Sequence, residues 1–102
     1  MPLRIIEKKI VVDELHKIAR IITNNLNKVI DINYYPTPEA KLSNMKHRPI
    51  GLGIQGLADT LVRMKINFDS EKALEFSEHM METIYHAALT ASKDIAKERY
   101  DD

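Results

Sequence analysis

The chain has no cysteine. That removes disulfides, thiolate catalysis and cysteine-based zinc sites together, and it fits a reducing compartment, so a cytoplasmic location is the expectation. An excess of one charge is missing as well. Fifteen basic residues balance fifteen acidic ones, leaving no broad field to attract nucleic acid or an anionic membrane. No apolar run approaches the roughly 20 residues of a bilayer-spanning helix. The opening MPLRIIEKKIVV lacks the uninterrupted apolar core of a signal peptide, because Glu7, Lys8 and Lys9 break it. Internal repeats and low-complexity tracts are absent too.

What remains is an ordinary globular composition, 44% hydrophobic and 29% charged over 102 residues. This is enough chain for one small domain, 1–102, and too little for two. Residues 1–12 read as extended, with Ile5, Ile6, Ile10, Val11 and Val12 supplying β-branched bulk. A first helix is predicted from Asp13, a good N-cap, to Ile32. Leu15, Ile18, Ala19, Ile22, Leu26 and Val29 mark one face of it.

Tyr34-Tyr35-Pro36-Thr37-Pro38 ends that helix in a rigid, extended connector. PEAKLSNMK can form one or two turns, with Pro38 pre-set for a first helical position. After Arg48-Pro49, the residues Ile50, Ile54, Leu57, Ala58 and Leu61 keep helical spacing to about Lys65. A third principal helix is predicted from Asp69 or Ser70 to about Lys97. Leu74, Ser77, Met81, Ile84, Ala88, Ala91 and Ile95 form its packing seam. The fold class is therefore all-α: three principal helices and an extended proline-containing connector.

Several patterns suggest chemistry. Gly51-Leu52-Gly53-Ile54-Gln55-Gly56 matches G-x-G-x-x-G, the dinucleotide-binding fingerprint. That chemistry needs a preceding strand and a helix N-terminus aimed at the pyrophosphate. Lys46-His47-Arg48-Pro49 is no central strand, so the glycines read instead as sites where neighbouring backbone approaches a helix. Glu75, His79, Glu82 and His86 share one helical face. Carboxylate-bridged di-iron bundles, however, use Glu-x-x-His on two helices with further glutamates on others, and a solvated face is the expectation. Lys41, Lys46, His47 and Arg48 are locally basic and precede a helix start, where phosphate can bind, but no aromatics are interleaved. The Tyr34-Tyr35-Pro36 corner reads as packed against a neighbour rather than as a base-stacking pair. His16 forms no Ser-His-Asp arrangement that sequence alone can defend.

The segment NLNKVIDINYYP, the block Ser43-Asn44-Met45-Lys46-His47-Arg48-Pro49-Ile50-Gly51 and the following QGLAD closely resemble the large, catalytic subunit of class I ribonucleotide reductase. METIYHAALTASKDIAKE resembles that family's next helix more loosely, and Met1-Pro2-Leu3 resembles the stretch after one of its redox cysteines. The resemblance implies an α/β-barrel parent that reduces ribonucleoside diphosphates to deoxyribonucleotides with a cysteine thiyl radical. The radical and redox cysteines, the phosphate loop, the radical-relay tyrosines and the effector sites all lie outside the stretch represented here.

No residue is therefore assigned a catalytic, cofactor-binding or metal-ligating role, and no cofactor is expected. The chain reads as an internal, helical and structural fragment of the barrel domain, inactive in isolation. Relatives usually continue with a Gly-Pro-Tyr turn where this chain has Arg99-Tyr100-Asp101-Asp102. The implied partners are the remainder of the large subunit and, through it, the small subunit. Neither nucleic acid nor membrane is expected as a partner. Self-association through barrel-facing surfaces is expected around the third principal helix, including Phe76, Met80 and Tyr85. A self-contained helical interaction module that has lost catalysis is the competing reading, and a nucleotide-binding remnant is a third.

Overall fold

The computed structural model describes the backbone of residues 5–100 and the side chains of residues 12–100. Among the described residues the chain is all-α: α1 (Ile5–Ile32), α2 (Pro38–His47), α3 (Leu57–Arg63) and α4 (Glu71–Tyr100), with no strand.

Helix α1 ends at Ile32 as the connector prolines require, but it begins earlier than its sequence suggests. Residues 5–12 are helical rather than extended, and Asp13 lies inside the helix instead of capping it. Once a helix is nucleated, each added residue contributes a hydrogen bond without a new nucleation cost. The helix-propensity penalty of Ile or Val is only a few tenths of a kcal/mol, while a proline or glycine would cost far more. Neither residue occurs between Leu3 and Asn33, so nothing stops the helix there. The expected extended conformation of residues 1–4 lies outside the described residues, as do Asp101 and Asp102.

Helix α2 is held at both ends. The Thr37 hydroxyl accepts from the Ala40 backbone N–H at 3.1 Å, with Pro38 in the first turn. Arg48 closes the C-terminus in a left-handed conformation (φ 49°), its N–H donating to the Asn44 carbonyl at 2.8 Å, and Pro49 prevents continuation. The helical spacing expected from Ile50 to Lys65 materialises only in its second half. Residues 48–56 are irregular, and α3 spans only Leu57–Arg63. Three glycines within six residues, each costing about 1 kcal/mol in a helix, outweigh the apolar periodicity. Ile66 and Lys65 then donate to the carbonyls of Leu61 and Val62, with Lys65 at φ 59°, a Schellman-type stop. Ser70 caps α4 by accepting from the Ala73 N–H at 3.2 Å.

Helices α1 and α4 form the body of the molecule. Their cross-contacts advance together, His16 with His86, Arg20 with Asp94 and Asp31 with Arg99, so the two helices run in the same direction. A parallel pair needs a return path as long as the helices, and the connector with α2 and α3 supplies it. Ala19, Ile84 and Ala87 form the central buried cluster, with Leu15 and Leu52 against it. Three of α4's four buried residues are alanines, Ala73, Ala87 and Ala91. Small side chains here allow two helix backbones to pack closely.

This seam corrects the predicted one. Ile84 and Ala91 belong to it, but Leu74 (69% exposed) and Met81 (44%) do not. Phe76, Ser77 and Met80 are half-buried on its side, and Ala87 rather than Ala88 carries the close contact.

Candidate functional site

The most constrained polar arrangement joins three elements at the end of α1. The Arg48 guanidinium donates from Nε to Asn27 Oδ1 (2.8 Å), and from Nη2 to the Asn27 carbonyl (2.8 Å) and Asp31 Oδ1 (2.8 Å). Arg99 near the end of α4 donates to the other carboxylate oxygen of Asp31 at 3.0 Å. The two guanidiniums, Arg48 first, hold the Asp31 carboxyl below its ordinary range, although partial burial opposes them. A planar fork serves this geometry because it reaches several acceptors at once. Arg48 is thus engaged within the fold, which removes it from the basic cluster considered for phosphate. Lys41, Lys46 and His47 remain exposed around it.

Tyr35 packs as its corner motif suggests, its hydroxyl donating to the Ile30 carbonyl at 2.7 Å, whereas Tyr34 is 84% exposed. The glycine stretch has no strand before it among the described residues. Only Gly56 has a glycine-favouring conformation, φ 82°, at the N-cap of α3. The expected close backbone approach is absent: a Cβ at Gly51, Gly53 or Gly56 meets nothing within 4 Å. Leu52 between them, half-buried against Ala19, Ile84 and Ala87, is what anchors this segment.

Glu75, His79, Glu82 and His86 are all exposed, as a solvated face should be. His86, however, is not solitary. Its Nδ1 lies 3.0 Å from His16 Nε2 across the α1–α4 seam, with ring centroids 5.2 Å apart. Among the described residues, no three His, Cys, Asp or Glu side chains converge as a metal cage. Among the described residues, no helix is long and apolar enough to cross a membrane.

Sequence reasoning missed both cross-seam constellations. Asp31 and Arg48 are seventeen residues apart and His16 and His86 seventy, so no local pattern announces either. The usable signal for the first was an arginine at a helix stop, following a helix that ends in Asp.

The remaining feature is a surface. At about 100° per residue, Ile18, Ile22 and Val29 lie to one side of the α1 seam. In a parallel pair, Leu74, Met81, Tyr85 and Leu89 of α4 project to that same side. All seven are exposed. The opposite side carries the Arg20–Asp94 and His16–His86 pairs and the Asn27–Arg48 contacts. The two-helix layer is therefore amphipathic, with one side clasped by the connector and the other apolar and uncovered. Total accessible surface is 8489 Å², against about 5,900 Å² for a monomeric globular protein of this mass. The radius of gyration of 17.3 Å likewise exceeds the ~13 Å of a compact 100-residue domain.

A family model described as the ribonucleotide reductase barrel domain matches residues 3–101. The ribonucleoside-diphosphate reductase large chain 2 of Saccharomyces cerevisiae is 58% identical over 85 residues, covering 83% of this chain and 10% of the yeast protein. The large subunit of Caenorhabditis elegans is 52% identical over 91 residues, 89% of this chain and 12% of its own length. That of vaccinia virus is 50% identical over 84 residues, 82% and 11%. The chain spans about a tenth of the length of these curated relatives.

Proposed function

Because the chain belongs to the ribonucleotide reductase barrel-domain family, we propose that it acts as a helical layer of that domain in a ribonucleoside-diphosphate reductase large subunit. Its contribution to making deoxyribonucleotides is structural. The uncovered apolar side of the α1–α4 pair packs on the remainder of the subunit, and the Asp31–Arg48–Arg99 clasp holds the connector on the far side. The partners are accordingly the rest of the large subunit and, through it, the small subunit, in the cytoplasm. The observation that carries this reading is the surface excess, on the order of 2,500 Å² over a self-contained protein of equal mass, together with the apolar side that exposes part of it. Surface of that extent on one partner matches the upper end of obligate interfaces, which bury about 2,000–5,000 Å² over both sides.

The residues that bear the chemistry are supplied by other parts of the subunit. Pure chain, lacking any cysteine, gives no conversion of a ribonucleoside diphosphate, with or without a small subunit.

The decisive experiment is a transplant. The matching stretch of the yeast large chain is replaced by this chain, and diphosphate reduction is assayed with the small subunit. The chimera is expected to be active, and the same chimera carrying Val29→Glu and Tyr85→Glu to lose activity and solubility. An active chimera indifferent to both charges would refute the packing assignment. An inactive, well-folded chimera would favour a self-contained interaction module.

A further inference from the structure

Among the described residues, the His16–His86 pair joins ligand-type side chains from two helices in direct contact, and the structural role leaves it unused. Each histidine comes from a different helix, and the facing nitrogens, His16 Nε2 and His86 Nδ1, are 3.0 Å apart. Two imidazoles bound cis to one ion at Zn–N distances of about 2.0–2.1 Å stand about 2.9 Å apart at a right angle and about 3.4 Å apart in a tetrahedron. The observed separation lies inside that interval. Two neutral rings can share one hydrogen bond at this distance. Equally, side-chain rotation can turn both lone pairs to a common point beside the seam, the rings being tilted by 43° and not stacked.

We infer that His16 and His86 form a two-imidazole chelate for a divalent transition ion of the zinc, nickel or copper class, bridging α1 and α4. Imidazole nitrogen is a good donor to all three ions. The pair is open to solvent, His16 half-buried and His86 exposed, so an ion can enter and water completes its coordination. Binding at these two nitrogens needs each ring in the tautomer whose proton sits on the far nitrogen. Neutral rings reach it by proton relocation, with no net proton release. Three charged groups stand one helical turn away, Asp13 before His16 among them. Glu82 precedes His86 and supplies outer negative charge, whereas Arg20 follows His16 and is neutralised by Asp94 at 2.8 Å. The ion ties the two long helices together at a point far from the Asp31 clasp, which leaves this inference independent of the reductase assignment.

The test is calorimetric titration of the pure chain with zinc, nickel or copper chloride, paired with thermal unfolding followed by helical circular dichroism. The expected result is one site per chain and a saturable rise in the unfolding midpoint, since an ion that binds only the folded state stabilises it by mass action. His16→Gln and His86→Gln should each lower the affinity by at least an order of magnitude. The double substitution of the exposed His47, on another element, and His79, two helical turns before His86, by Gln should leave it unchanged. All variants keep surface positions polar, and their helical signal before ion addition reports whether they fold. Absence of binding at millimolar ion, or binding that survives either His16→Gln or His86→Gln, overturns the inference.

Discussion

At the scale of single residues, Asp31 and Arg48 decide how the connector is tied down. Arg48 meets Asn27 and Asp31 through three hydrogen bonds, and its left-handed backbone is already committed by the α2 stop. Lysine keeps the charge but reaches fewer of those acceptors. Arg48→Lys should therefore destabilise the fold by about 1–2 kcal/mol, read from the urea midpoint. Asp31 governs the acid response. Its folded pKa lies below the ordinary value, so its contribution is present above the unfolded carboxyl value of about 3.9. That contribution is lost as pH falls through the lower folded value. Asp31→Asn should flatten the loss of stability on acidification below about pH 4, measured as urea midpoint against pH. An unchanged slope would show that the clasp contributes nothing in solution.

At the scale of elements, the glycines separate by conformation rather than by motif. Gly56 alone has positive φ, where a Cβ costs roughly 1–2 kcal/mol, so Gly56→Ala should destabilise by about 1 kcal/mol in chemical denaturation. Gly51→Ala and Gly53→Ala, with open space at both Cβ positions, should be neutral or slightly stabilising through the unfolded state. Lys65→Gly, relieving a left-handed non-glycine, should stabilise by a comparable amount. Chain breakers also explain what was legible in the sequence. Pro36, Pro38 and Pro49 placed the end of α1, the start of α2 and its stop. The β-branched start of α1 was misread because no breaker stood there to halt a helix already formed. The phase of the α4 seam was misread because apolar residues occupy more than half of its circumference. Ala87 and Ala91 face α1 and Ala73 is buried near Leu57 and Leu61, while the larger Leu74, Met81 and Tyr85 are exposed. Only a structure shows which of two apolar faces meets the partner within the chain.

At the scale of the whole molecule, two long parallel helices with a mostly alanine seam bury little and leave a broad apolar side open. In an isolated chain, that side is covered most simply by an identical side about a two-fold axis. The association surface this predicts is Ile18, Ile22, Val29, Met81, Tyr85 and Leu89, whereas Phe76 and Met80, expected to share in it, are half-buried within the fold. Sedimentation equilibrium of the pure chain tests the central claim most directly, that this side is an interface in need of a partner. The account predicts a dimer or larger assembly that dissociates to a helical monomer on Ile22→Glu with Tyr85→Glu. A well-folded wild-type monomer at high concentration would contradict it.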